Sequence, residues 1–178
     1  LIIIIIAVII IIIIIIIIIN FIINFLIICI VSIILILGLG SLGAVFTVSE
    51  IPNWYARLQK PSFNPPNFLF GPVWTLLYIL MGISFYLIWK QPSSKIRNKG
   101  IIFFIVQFTL NFFWSIIFFK YHLIFWAFIE IIAMWLFILF TISSFAKLNK
   151  TAAWLLVPYI SWVSFAAILN FAILQLNK

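Results

Sequence analysis

Apolar stretches about twenty residues long, joined by short links that carry nearly all of the charge, leave this chain one solvent in which it can fold. Hydrophobic residues make up 68% of the 178 positions and charged residues only 7%, with a mean hydropathy of +1.44. A soluble core of this size cannot hide that much apolar surface, whereas lipid solvates it. In lipid every backbone N–H and C=O has to be satisfied within the fold, so a spanning chain is either helical or a closed barrel. The stretches lack the period-2 polar alternation of a barrel strand, which predicts an all-α integral membrane protein. The expected architecture is a five-transmembrane-helix bundle with an extra N-terminal hydrophobic segment.

That segment covers residues 1–25 and opens with a tract, Leu1 to Ile19, that is isoleucine except at Leu1, Ala7 and Val8. It is long enough for an additional span before Asn20 and Asn24. Its low complexity, together with a first residue other than methionine, suggests a truncated or imperfectly defined start, so it is set aside from site reasoning. The transmembrane domain proper is expected at 26–178, with spans at about 26–48, 69–89, 100–119, 123–146 and 151–175. Gly38, Gly40, Gly43 and Ala44 thin one face of the first span for close helix approach. The longest link, 49–68, holds Pro52, Pro61, Pro65 and Pro66 and reads as a semi-rigid lid with at most a short helix near Trp54 to Gln59. The other links are short enough to make successive helices antiparallel, and Lys120, Tyr121 and His122 form a tight turn.

The formal charge of +8 comes from ten Lys and Arg residues scattered over these links rather than gathered on one face, which argues against nucleic acid. Lys90, Lys95, Arg97, Lys99, Lys147 and Lys150 fall on one side of the bundle, and Arg57, Lys60, Lys120 and Lys178 on the other. By the positive-inside rule the first side is cytosolic and the proline-rich link lies outside. One cysteine, Cys29, excludes an internal disulfide, and with the lone His122 it offers no metal site.

Polar and amphipathic residues at mid-span depth carry the functional information, because leucine and isoleucine suffice for lipid alone. In the third span Gln107, Asn111 and Trp114 share one helical face. In the fifth, Tyr159, Trp162, Ala166 and Asn170 do the same, and in the second Trp74 and Tyr78 lie one turn apart after Gly71-Pro72. The amides either tie helices together or line a pocket. An interfacial belt suits Trp89, Trp135 and Trp154, whereas Trp74, Trp114 and Trp162 share their faces with polar groups and fit a belt less well. Glu130 is one of two acids in the chain. It reads either as a functional carboxylate or, preferably, as a desolvated acid donating a hydrogen bond to a neighbouring helix. The chain has no carboxylate pair, nucleophile–base set or phosphate loop. The residues therefore point to a binding or transport bundle for a ligand that is flat, apolar and anionic at its edge.

Trp54-Tyr55-Ala56-Arg57-Leu58-Gln59-Lys60-Pro61-Ser62-Phe63-Asn64-Pro65-Pro66 and Phe70-Gly71-Pro72-Val73-Trp74-Thr75-Leu76-Leu77-Tyr78 carry a family likeness, continued by Met81-Gly82, Gln107 to Ser115, and Pro158 to Trp162 with Asn170. They resemble the signatures of the TspO/MBR family, the translocator or tryptophan-rich sensory proteins, also described as peripheral-type benzodiazepine receptors. The resemblance runs from about 38 to 177. It implies a five-helix bundle that often forms a homodimer and binds porphyrins and haem-type tetrapyrroles without a resident cofactor, and in animals cholesterol and benzodiazepine-type drugs. It implies ligand binding by Trp74, Tyr78, Asn111, Trp114, Trp162, Ala166 and Leu169. The lid would comprise Trp54, Arg57, Lys60, Pro61, Phe63, Pro65 and Pro66, with Arg57 or Lys60 meeting ligand carboxylates. Phe63 stands where the family has tryptophan. Phe171 replaces the tyrosine of the family's sterol motif, which counts against sterol binding. Small residues are scarce in the third span, a proposed dimer face. The functions implied are transport or sensing of tetrapyrroles, with light-dependent porphyrin degradation or a stress-response scaffold as alternatives. The implied location is a bacterial cell membrane or the mitochondrial outer membrane.

Overall fold

The computed structural model describes residues 2–178; Leu1 of the isoleucine tract lies outside the described residues, as do the side chains of residues 2–9, Phe21 and Phe25. Helix α1 spans Ile2–Glu50, α2 Phe70–Trp89, α3 Lys95–Ser115, α4 Ile124–Ala146, α5 Lys150–Trp154 and α6 Val157–Leu176. Among the described residues five helical segments are long and apolar enough to cross a membrane, with α5 and α6 counting as one. Helix α1 packs on α2 and α3, and α4 packs on α3 and α6.

Several boundaries differ from those read in the sequence. Helix α1 has no turn at Asn20 or Asn24, so the isoleucine tract and the first span form one continuous helix. At 1.5 Å per residue its 49 residues extend roughly 70 Å, more than twice the hydrocarbon thickness. The packed part begins near Ser32 and Ile36, the first buried α1 side chains among those described, while Ile10 to Ile19 are each about half exposed. The helix also continues past Ser49 through a π-helical turn, Ile51–Tyr55. Pro52 sits at the start of that turn, where the α-helical register gives way to the wider π-helical one.

At the basic end, Lys95, Arg97 and Lys99 belong to α3 rather than to a loop. Ser94 caps the helix by accepting from Arg97 N at 3.2 Å. Arg97 in turn donates to Trp89 O at 2.6 Å and to Ile88 O at 3.2 Å, the latter also accepting from Gln91 N at 3.0 Å, and so ties α3 to the end of α2. The last span is interrupted after α5, which Asn149 caps through its bond from Ala152 N at 3.0 Å. Ser84 Oγ donates to Ala152 O at 2.7 Å and ties α2 to this segment. At the opposite end, a second π-helical turn, Ile116–Lys120, follows α3. The turn that follows it includes His122 at φ 56°, a left-handed conformation uncommon for a residue with a Cβ.

An aromatic pocket between four helices

At the end of the bundle that carries the long link, α1, α2, α3 and α6 enclose a cavity of about 420 Å³. Each wall follows from a spacing visible in the chain. Trp74 and Tyr78, one turn apart on α2, stack with ring centroids 5.4 Å apart. Asn111 and Trp114 face them from α3, and Trp162, Ala166, Leu169 and Asn170 from α6. All seven side chains expected to bind ligand therefore line one cavity, as does Asn170. Helix α1 contributes small residues, Ser41, Ala44 and Thr47.

The polar groups are held in fixed orientations. Tyr78 donates to Asn111 Oδ1 at 3.0 Å and lies 3.3 Å from Gly40 O. Trp114 Nε1 donates to Asn170 Oδ1 at 3.3 Å, and Asn170 Nδ2 donates to Ile124 O at 3.1 Å. Asn170 thus joins α3, α4 and α6 while lining the cavity, so bundle glue and pocket wall are the same residue. Tyr159 is fully buried behind Trp74, its ring centroid 6.2 Å away, with its hydroxyl 3.6 Å from Met134 Sδ. Trp135 is no belt residue: its Nε1 donates to Ser164 Oγ at 2.8 Å across the α4–α6 contact. Trp89 and Trp154 are exposed, as a belt requires.

The covering segment differs more from expectation. None of Trp54, Arg57, Lys60, Pro61, Phe63, Pro65 or Pro66 lines the cavity; Ile51, Tyr55, Asn67 and Phe68, at the two ends of the link, do. Lys60 is turned back on its own segment, donating to Leu58 O at 2.9 Å and lying 4.9 Å from the Tyr55 ring. Arg57 is exposed. Tyr55 donates to Asn64 Oδ1 at 2.7 Å, Asn177 bonds both backbone groups of Gln59, and Phe63 packs on Phe165, so the link is strapped to the end of α6. On the other side Trp54 stacks on His122 at 4.1 Å, and His122 Nε2 lies 3.3 Å from Glu50 Oε2.

Both π-helical turns border the cavity, supplying Ile51 and Tyr55 from one and Phe118 and Phe119 from the other. Sequence reasoning placed none of these four in the pocket. An extra residue per turn breaks the i, i+4 register on which the face assignments rest.

Gln107 and Glu130 lie elsewhere. Gln107 is buried, both of its amide atoms and both Glu130 carboxylate oxygens lack a hydrogen-bond partner, and neither residue lines the cavity. The hydrogen bond expected from Glu130 to a neighbouring helix is thus absent. A buried amide without partners costs its desolvation with no return. Gln107→Leu is accordingly expected to raise stability by about 1 kcal/mol, read by unfolding in mixed micelles. A loss of stability would show that the amide is in fact bonded.

Among the described residues no group of three or more His, Cys, Asp or Glu side chains is placed to hold a metal ion. Fold and site together define a multi-pass helical membrane protein with an aromatic, amide-lined pocket at one end of its bundle. The chain belongs to the TspO/MBR family, whose sequence profile matches residues 30–176. It is 43% identical over 147 residues to a tryptophan-rich protein TspO of Chlorobaculum tepidum, covering 80% of this chain and 91% of that protein. A protein of the same name from Archaeoglobus fulgidus is 42% identical over 148 residues, covering 83% and 95%. The translocator protein of Ovis aries is 36% identical over 141 residues, covering 78% and 83%.

Proposed function

We propose that this protein binds a porphyrin or haem-type tetrapyrrole in the cavity between Trp74 and Trp162 and acts in its sensing or transport. The observation that carries the reading is the convergence of three indoles, Trp74, Trp114 and Trp162, from three helices on one cavity of about 420 Å³. That size lies within the range of small-molecule sites, and a mostly apolar wall with a few oriented amides and hydroxyls suits a flat ligand with few polar groups. The indole faces provide stacking surfaces. Arg57 is the exposed cation of the covering link, where it would meet a carboxylate at the mouth.

Trp74, Tyr78, Asn111, Trp114, Trp162, Ala166 and Leu169 form the binding set in this reading. Trp54, Lys60, Pro61, Phe63, Pro65 and Pro66 act indirectly, by holding Ile51, Tyr55, Asn67 and Phe68 against the opening. Titration of the purified protein with protoporphyrin, followed by tryptophan fluorescence, tests this. Wild type is expected to show saturable quenching, with Kd rising about tenfold in Trp74→Phe/Trp162→Phe, given aromatic pair energies near 0.5–1.5 kcal/mol each. Absence of saturable quenching in wild type would remove the proposal. Light-dependent product formation lost in the same variant would move the reading from carrier to enzyme.

A further inference from the structure

The basic end of the bundle has a second concavity, unconnected with the aromatic pocket. It is an open furrow of about 510 Å³ between α3 and α4, lined by Ile96, Lys99, Phe103, Phe140, Ser143, Ser144 and Lys147. Gly100 on α3 sets how closely α4 can approach. A Cβ there would come 3.1 Å from Ser144 Cβ and 3.2 Å from the Phe145 ring, so the two helices are as close as a glycine permits. Lys99 stands on one wall and Lys147 on the other, with Ser143 and Ser144 between them.

We propose that this furrow holds the phosphate headgroup of an anionic phospholipid, with an acyl chain lying along Phe103 and Phe140. The first argument is charge. Glu50 and Glu130 are the side-chain acids of the chain; Glu50 pairs with His122 at the opposite end and the carboxylate oxygens of Glu130, on α4, are buried. Neither lysine therefore has a carboxylate to neutralise it. Lys99 Nζ lies 5.4 Å from the Phe103 ring and has no hydrogen bond or ion pair among the described residues, which leaves its three donors free for an anion. Ser143 is exposed and adds a hydroxyl donor, while Ser144 is committed to Phe140 O at 2.8 Å.

The second argument is the order of chemistry along the helices. Lysines and serines lie toward the helix ends, at headgroup level, and the Phe103–Phe140 contact, with centroids 5.4 Å apart, lies one turn or more further into the span. Phe140 is exposed, as are Ile102 on α3 and Leu136 on α4. A cationic and hydroxylated top running into an aromatic slope matches an amphiphile entering from the bilayer; a soluble anion would make no use of the slope. Basic pockets between spans on the cytoplasmic side are suited to anionic headgroups on general electrostatic grounds.

Native mass spectrometry of the detergent-solubilised protein with added phosphatidylglycerol or phosphatidylcholine of matched chains provides the test. Phosphatidylglycerol is expected to bind more tightly, and Lys99→Gln/Lys147→Gln should weaken it about 25-fold, roughly fivefold per lysine, without changing phosphatidylcholine binding. Lys99→Arg/Lys147→Arg should retain binding, and Lys120→Gln/Lys178→Gln, at the other end, should match wild type. A melting curve close to wild type shows that the glutamine variant is folded. If it is not, the comparison of the two lipids on wild type and the arginine variant decides alone. Equal affinity for the two lipids, or an equal loss in the opposite-end control, would overturn the proposal. Displacement of the lipid by inorganic phosphate would also overturn it, by assigning the furrow to a free anion.

Discussion

Gly82→Ala is expected to cost about 3 kcal/mol, at the upper end of what overpacking does to a filled interior. A Cβ at Gly82 would lie 2.7 Å from Ile33 Cα and 3.1 Å from Ile33 N. Both are backbone atoms, so no rotamer change relieves the clash and α1 has to move away from α2. In a bilayer that separation is expensive, because lipid tails are as apolar as the side chains and close packing itself holds the helices together. Alanine's better helix propensity returns only about 1 kcal/mol. Gly38→Ala is the matched control, since nothing lies within 4 Å of its added Cβ, and it should be neutral or stabilising by up to about 1 kcal/mol. Unfolding of both variants by SDS in mixed micelles measures the difference. Equal stability of the two would mean that α1 and α2 are not in backbone contact at Gly82.

This pair of glycines also shows what the chain reveals and what it withholds. Gly38, Gly40, Gly43 and Ala44 advertise a thinned face on α1, and three of the four are used: Gly40 meets Tyr78, Gly43 meets Ser115, and Ala44 lines the cavity. Gly38 meets nothing, and the closest approach to a neighbouring backbone is at Gly82, an isolated glycine in the middle of α2. A glycine signals that a side chain is absent; which neighbour fills the space depends on how two helices cross.

The pocket was legible for a different reason. In an apolar span, an indole or amide stands out against leucine and isoleucine, and helical periodicity converts its position into a face. Trp74, Tyr78, Asn111, Trp114 and Trp162 were therefore readable one helix at a time. Helical periodicity breaks at the two π-helical turns that bring Tyr55 and Phe118 to the cavity, so neither residue's face could be read from spacing. Pro52 misleads for another reason: it stands inside a continuous helix, at a π-helical turn, rather than opening a loop. Glu130 stayed ambiguous because a carboxylate's partner lies on another helix, and here none was found.

Gly40→Ala carries the second large effect, this time on binding. Its added Cβ would fall on the Tyr78 ring, contacting the ring atoms at and beside the one that bears the hydroxyl. Unlike the Ile33 backbone, a side chain has somewhere to go, and the open space next to Tyr78 is the cavity it lines. Displacement breaks the bonds from Tyr78 to Asn111 and Gly40 and disturbs the stack on Trp74. Stability should therefore fall less than in Gly82→Ala, while protoporphyrin affinity should fall at least about tenfold, or 1.4 kcal/mol. Tyr78→Ala supplies the decisive comparison: if the added methyl acts through the ring, Gly40→Ala has little further effect once the ring is gone, and the two changes are strongly non-additive. Full additivity would show that Gly40 governs binding by another route, such as a shift of α1. Unchanged affinity in Gly40→Ala alone would mean that the ligand does not use the space beside Tyr78.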